Sequence, residues 1–345
     1  DSTRLVVSGS AGMLKIYDTA TCELLAERDG FVYDRYRRVF PSPDNRFLFL
    51  TGKVPSLLDA QTGELIRTFE VETFGVEPRY AAFTPDSRYV ILADNSGIIS
   101  LDLTTGEVTA AWGDTWITSQ TYAPNSAILA VYNVIENHID LLNVPSLEQV
   151  GSLDYPFSIR HDPTLAFSPD GRLLAIGGNR KDILIFDVET HKLQMTLEAQ
   201  TYESELVAFS PDGEYLAAVP EFSNGIRHSN VKPRLQVWQI ADGEKVLEFE
   251  LRPEHLTQQE NVIQRGIIDV FSLMFSPDGS HILLTGKYGK ESENIMGGTN
   301  LSPLGYSMIA LPMDDGEPLI RYNIPWIDYE YMLYFSPDGR LLYWM

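Results

Sequence analysis

The sequence predicts an all-β protein built from repeated four-stranded antiparallel sheets, and three observations predict it. A short turn phrase recurs seven times, an apolar, strand-forming run follows each of its copies, and a second turn of the Thr-Gly-Glu type closes the strand after that. The copies are Phe40-Pro41-Ser42-Pro43-Asp44-Asn45, Phe83-Thr84-Pro85-Asp86-Ser87, Tyr122-Ala123-Pro124-Asn125-Ser126, Phe167-Ser168-Pro169-Asp170-Gly171, Phe209-Ser210-Pro211-Asp212-Gly213, Phe275-Ser276-Pro277-Asp278-Gly279 and Phe335-Ser336-Pro337-Asp338-Gly339. In each an aromatic ends a strand, Pro presets φ, Asp or Asn caps the turn, and Gly or Ser takes the last tight position. The runs that follow, such as Tyr89-Val90-Ile91-Leu92 and Leu173-Leu174-Ala175-Ile176, complete a hairpin.

The unit then continues. Met13–Glu23 matches Ile98–Glu107, and the same pattern returns at Ile183–Lys192, Leu235–Glu244 and, more loosely, Tyr306–Glu317. Glycine supplies the positive φ of these turns. A more polar fourth strand follows at Leu65–Glu70, Val108–Trp112, Leu193–Leu197 and Val246–Leu251. Four antiparallel strands, here a to d, recurring about every 40–45 residues are the blade of a β-propeller. The expectation is a single domain over 1–345, with seven blades and a closing blade shared by the two termini. Arg4–Ser10 and Arg340–Trp344 both fit its strand b, and eight blades is the alternative if both ends are trimmed.

Composition narrows the function classes. The 345 residues carry a formal net charge of −22, which repels phosphate backbones and argues against nucleic acid. No run approaches the ~18 apolar residues of a membrane span. The lone Cys22 excludes an internal disulfide. The chain starts at Asp1, which reads as processed or trimmed.

Function on a repeated scaffold sits where the repeat is broken. The hairpin aromatics lie 43, 39, 45 and 42 residues apart, then 66 and 60. The surplus falls in Glu221–Arg234, between strands b and c of the fifth blade; Arg252–Arg265, between that blade and the next; and Tyr288–Gly305, between b and c of the sixth. Connections b–c and d–a leave the strands at one end, so all three are expected on one face. Gly289, Gly297, Gly298 and Gly305 suggest that the last is a loop that stays mobile until covered. The candidate partner-binding residues are Arg227, His228, Lys232, Arg234, Arg252, His255 and Lys290, with Trp116 and Trp326 as apolar anchors. Arg35, Arg37, Arg79, Arg160 and His161 mark a channel mouth on that face, suited to an anionic group or an acidic surface.

Motifs for catalysis are missing. No His-Glu-x-x-His, Gly-x-Ser-x-Gly, phosphate loop or dinucleotide fingerprint occurs. The six histidines are scattered, and no metal, cofactor or catalytic residue is expected. Asn300-Leu301-Ser302 is a glycosylation sequon followed by Pro303.

The Ser-Pro-Asp-Gly hairpins and Asp-x-x-Thr-Gly-Glu turns resemble those of the WD-repeat and YVTN-type propellers over the whole chain. The Gly-His pair usual before strand a does not occur. The Trp-Asp pair is reduced to Tyr17-Asp18, Leu58-Asp59, Leu101-Asp102, Phe186-Asp187 and Trp238-Gln239. The pattern is therefore closer to amine-dehydrogenase-like propellers, such as the propeller subunit of quinohaemoprotein amine dehydrogenases. The expected function is a non-enzymatic scaffold that binds a partner protein through the long connections of blades 5 and 6. The resemblance implies one alternative, a subunit of a periplasmic redox enzyme whose cofactor sits on another chain, and with it a periplasmic or extracellular setting. The other alternative is a propeller lactonase or hydrolase, which needs a metal held near the axis.

Overall fold

The structure, a computed structural model, describes residues 4–9, 13–21, 23–29, 38–71, 78, 80–113, 117–124, 126–154, 163–178, 182–199, 205–220, 234–251, 269–293, 299–314, 320–325, 333–335 and 342–344. Among them the chain forms strands and no helix. The first three strands, β1 (Arg4–Gly9), β2 (Met13–Asp18) and β3 (Leu24–Arg28), make one sheet.

Six four-stranded sheets follow, each with its strands in chain order. They are β4 (Val39–Pro41), β5 (Phe47–Leu50), β6 (Ser56–Asp59) and β7 (Leu65–Thr68); β8 (Tyr80–Phe83), β9 (Tyr89–Ala93), β10 (Gly97–Asp102) and β11 (Val108–Gly113); and β12 (Ile117–Tyr122), β13 (Ile128–Asn133), β14 (His138–Asn143) and β15 (Gln149–Asp154). Next come β16 (Thr164–Phe167), β17 (Leu173–Gly177), β18 (Asp182–Asp187) and β19 (Lys192–Glu198), then β20 (Glu205–Phe209), β21 (Tyr215–Pro220), β22 (Arg234–Gln239) and β23 (Lys245–Glu250). The sixth is β24 (Asp269–Phe275), β25 (His281–Glu293), β26 (Thr299–Pro312) and β27 (Ile320–Pro325); β28 (Leu333–Phe335) and β29 (Leu342–Trp344) form a two-stranded sheet. These sheets are the blades of a β-propeller, roughly seven in number. The two segments that both fit strand b of the closing blade are each used: β1 lies beside β2, and β29 beside β28 in a separate sheet.

The chain divides into two compact units, residues 1–156 with 336–343 and 345, and residues 157–335 with Trp344. In the first unit the core is a series of slabs between neighbouring sheets. Leu14 and Ile16 meet Leu48, Leu50 and Leu58. Phe49, Leu57 and Phe69 meet Phe83, Val90, Leu92 and Leu101. Ile91, Ala93 and Ile98 meet Ile117, Leu129, Val131 and Leu142. The strand period of two explains the division: along β9, Val90 and Leu92 serve one slab while Ile91 and Ala93 serve the next. The second unit repeats the rule on β21, where Leu216 and Ala218 face one slab and Ala217 and Val219 the other. Each fully buried Leu, Ile, Val or Phe contributes about 1.5–3 kcal/mol.

The recurrent phrase is a hydrogen-bonded device. Its Ser or Thr is almost fully buried at Ser42, Thr84, Ser168, Ser210 and Ser276. The Ser210 hydroxyl donates to Asp212 Oδ1 at 2.5 Å and accepts the Tyr215 N–H at 2.9 Å, while Asp212 Oδ1 accepts the Glu214 N–H at 3.0 Å. Thr84, Ser168 and Ser276 repeat this geometry. The hydroxyl is the largest influence holding Asp86, Asp170, Asp212 and Asp278 below the usual carboxylate range, Asp278 at about 2. At Asp44 burial pushes upward, but hydrogen bonds led by Ser42 outweigh it.

Two of the described copies depart from the pattern. In the first, Pro41 pairs with Leu48 as Phe167 does with Leu174, so Phe40 stands one residue earlier and packs edge-on against Tyr80, centroids 6.3 Å apart. In the third, Ala123 is fully buried where the others carry a hydroxyl.

Neighbouring turns touch. The Asp44 N–H donates to Ser87 Oγ at 3.2 Å, and a Cβ on Gly213 or Gly279 would lie 3.5 Å from Pro169 Cδ or 3.8 Å from Pro211 Cδ. The turns between strands c and d rest on the preceding sheet: Arg67 donates to the Thr104 carbonyl at 3.1 Å, and a Cβ on Gly106, at φ 82°, would meet Arg67 at 2.7 Å. Where glycine is replaced the conformation persists, with φ 57° at His191 and 56° at Leu147.

Three outcomes follow for stability. Ser210→Ala removes a buried acceptor and lowers unfolding stability by about 1–2 kcal/mol in urea titration. His191→Gly, at an exposed left-handed position, raises it by about 1 kcal/mol. Because the folded pKa of Asp278 is depressed from 3.8 to about 2, its stabilisation is present above pH 3.8 and disappears as pH falls through about 2. A melting-temperature gap between wild type and Asp278→Asn should therefore close across that window.

Candidate partner-binding face

The geometry of the second unit fixes which ends of the strands lie together. The a–b turn of β20 and β21 touches that of β24 and β25 through Pro211 and Gly279, while β21 and β25 share a slab with Ala217, Val219, Ile282 and Leu284. The opposite ends of these strands, which carry the b–c and d–a connections, therefore share the other side of the two blades. The three long segments start and finish there, as the sequence predicts.

The third segment differs from expectation. Tyr288–Gly305 is largely strand, with β25 and β26 paired from His281↔Pro312 to Glu293↔Thr299. Gly289 and Gly305 stand in the ladder, which satisfies their backbone as the strands run outward, while Gly297 and Gly298 lie outside the described residues. Among the described residues, β24 pairs from Asp269↔Lys287 inward and β27 from Gly305↔Pro325 inward. Tyr288–Glu293 and Thr299–Pro303 thus form an arm that lengthens this hairpin by about 20 Å, at ~3.4 Å per residue, relative to the four- to six-residue b and c strands of the other described four-stranded sheets. A register shift at Tyr288/Gly289 leaves Leu304 unpaired at its base, a bulge that re-aims the arm.

Of the predicted contact residues, Arg234 and Lys290 fall on described backbone. Arg227, His228, Lys232, Arg252, His255, Trp116 and Trp326 lie outside the described residues, as do Arg35, Arg37, Arg79, Arg160 and His161. Lys290 lies in the arm, paired with Ser302. Arg234 begins β22 and forms an ion pair with Glu248 of β23, which also accepts from Lys245 and, at 3.1 Å, from the Gln236 amide. Lys245, then Gln236 and Arg234, hold the Glu248 carboxyl at about 2, against the opposing effect of burial. Arg234 therefore clamps strands c and d beside the Glu221–Arg234 connection, and its charge is largely spent locally.

Sequence reasoning missed a polar cluster in the first unit. Asp140, 2% exposed, accepts from Gln149 Nε2 at 2.6 Å and Asn133 Nδ2 at 3.2 Å, and its Oδ1 lies 2.9 Å from His138 Nε2. The Asn133 side chain also accepts the Glu136 N–H, and Tyr132 donates to Asn137, so the b–c turn is braced on both sides. Its tip carries Ile135, 68% exposed. The available signal was an aspartate inside the apolar run Ile139–Leu142.

Comparison with known proteins follows the fold. No family model matches the chain. The WD repeat-containing protein SL1-17 of Schistosoma mansoni is 27% identical over 157 residues, 44% of this chain and 47% of that protein. An uncharacterized WD repeat-containing protein, sll1491, of Synechocystis sp. (strain ATCC 27184 / PCC 6803 / Kazusa) is 28% identical over 174 residues, 50% of this chain and 42% of that protein. The chain thus spans less than half the length of either curated relative. Among solved structures, a chain of Kuenenia stuttgartiensis hydrazine synthase superposes with a TM-score of 0.52 at 17% identity, covering 73% of this chain and 75% of that one; the likeness is one of fold. Repeated turn phrase, four-stranded sheets and these similarities agree on the fold: the chain is a β-propeller, similar to WD-repeat proteins over about half of its length.

Proposed function

We propose that the chain is a single-domain, non-enzymatic scaffold that holds a partner protein on the side of blades 5 and 6 bearing the long connections. The observation that carries the reading is the arm, whose β25–β26 ladder runs from His281↔Pro312 to Glu293↔Thr299 in strands of 13 and 14 residues. An isolated two-stranded ribbon is marginal in water, so an arm of this length gains its stability from what it lies against. Arg227, His228, Lys232, Arg252, His255 and Lys290 are the proposed polar contacts, with Trp116 and Trp326 as anchors; Arg35, Arg37, Arg79, Arg160 and His161 are proposed for the channel mouth. Rigid blades present these segments at little ordering cost. The WD-repeat names of the relatives fit a scaffold.

A second reading, the propeller subunit of a redox enzyme with its cofactor on another chain, draws on the fold likeness to hydrazine synthase. Visible absorbance from a haem- or quinone-bearing chain that copurifies with this one would favour it.

The scaffold reading is tested by trimming. Residues 289–304 are replaced by Asn-Gly, joining the register pair Tyr288 and Gly305 through a two-residue turn, and 221–233 are shortened. The expected result is loss of the copurifying protein partner with far-UV circular dichroism and melting unchanged. Full retention of the partner by the trimmed chain would overturn the assignment.

A further inference from the structure

The last strands of six described sheets share one irregularity. The register of β3 on β2 passes from Leu24 to Ala26, and that of β7 on β6 from Leu65 to Arg67, so Leu25 and Ile66 are the extra residues of β-bulges. The same bulge follows Val108, Gln149, Leu193 and Lys245, with Thr109, Val150, Gln194 and Val246 as the extra residues. Four of the six pairs thus combine one aliphatic with one polar residue, in either order. The bulge itself needs no second aliphatic, yet β3 and β7 each carry two.

Leu24, Leu25, Leu65 and Ile66 are 46 to 54% exposed. A single exposed aliphatic is ordinary, but this doubling falls on two sheets that touch. Leu14 and Ile16 share a slab with Leu48, Leu50 and Leu58. Arg28, which ends β3, lies 3.9 Å from Glu64, the residue before Leu65, and a Cβ on Gly63 would lie 3.4 Å from Arg28 Cγ. From Leu24 to Arg28 the strand spans about 14 Å at ~3.4 Å per residue, which sets the separation of the two apolar pairs.

Charge decides what this surface accepts. Asp18, Glu23 and Glu27 flank the first pair, and Asp59 and Glu64 the second. The cations beside them are already engaged: Lys15 lies 3.4 Å from Glu27, Arg28 pairs with Glu64, and Arg4 donates to the Ala60 carbonyl. Carboxylates outnumber cations here, so the surface is negative on balance. A second copy of the chain would bring the same excess to the contact, and two chains of net charge −22 also repel at long range. A basic segment meets no such restriction.

We propose that β3 and β7 together form a docking surface for a short segment of a partner protein that carries two aliphatic pairs, about 14 Å apart, among basic residues. Burial of the aliphatic side chains supplies the affinity, and the basic residues supply the choice of partner. The surface belongs to the first unit and is independent of the reading of blades 5 and 6.

The test uses the full chain and two fluorescein-labelled peptides, Lys-Leu-Val-Lys-Lys-Leu-Val-Lys and its acidic counterpart Glu-Leu-Val-Glu-Glu-Leu-Val-Glu. The variant Leu25→Thr/Ile66→Gln gives β3 and β7 the residues that β11 and β19 carry at the same place, so it should melt as wild type does. Wild type should bind the basic peptide at least about tenfold more tightly than the acidic one, and at least about tenfold more tightly than the variant binds it. Binding should slow amide hydrogen exchange at 24–28 and 65–68. The control Val246→Thr, at the same bulge in the second unit, should bind as wild type does. Equal binding of the two peptides, equal binding by wild type and the double variant, or an equal loss in the control would overturn the surface. A double variant that melts well below wild type would overturn it too, by making the paired aliphatics structural. So would sedimentation showing a wild-type dimer that the double variant dissolves, which assigns the surface to a second copy. The chain trimmed at 221–233 and 289–304 should bind the basic peptide as wild type does, so this surface and the partner-binding face stand or fall separately.

Discussion

Each inner strand of this protein must satisfy two neighbours at once. Val90 and Leu92 are buried toward one sheet and Ile91 and Ala93 toward the next, so β9 has no solvent face. A sheet of this kind is unstable alone, since both of its faces are apolar, and it becomes stable only as one of a row. The constraint explains why the strand-b segments read as unbroken apolar runs in an otherwise acidic, half-polar chain. It also explains why added length is accommodated in the connections. Substituting a strand-b residue disturbs a slab shared by two sheets, whereas lengthening a b–c connection disturbs none.

The turns hold these strands in register. A buried hydroxyl that both donates to an aspartate and accepts a backbone N–H fixes the first residue of strand b. A slip of one residue would exchange the two slabs, which the alternation forbids. The same turn carries contacts to its neighbour through Asp44 and Ser87, Pro169 and Gly213, and Pro211 and Gly279, so one short phrase sets register within a sheet and spacing between sheets.

Much of the fold was legible because that phrase has a local mechanism. Met13–Asp18, Val108–Gly113 and Lys245–Glu250 begin or end within a residue or so of the expected strands. Phe40 misled, because its neighbour Pro41 takes the strand-ending place and the aromatic ring falls on the other face. The site was less legible. Gly289 and Gly305 argued for a loop, yet the strand pairing at Tyr288–Glu293 and Thr299–Gly305 depends on two segments finding each other, which no single-residue preference reports. The partnership of Arg234 with Glu248 was equally hidden, since it joins residues on adjacent strands that only the register brings together. Asp140 was visible as an anomaly, but not the amide and imidazole that neutralise its burial.

The contacts of neighbouring turns at Asp44–Ser87, Pro169–Gly213 and Pro211–Gly279 also govern how the sheets that they join come apart. A hairpin that loses its hydroxyl bridge withdraws support from the adjoining proline or glycine, so damage passes sideways rather than inward. Within each unit, melting should therefore advance along the row, one sheet releasing the next.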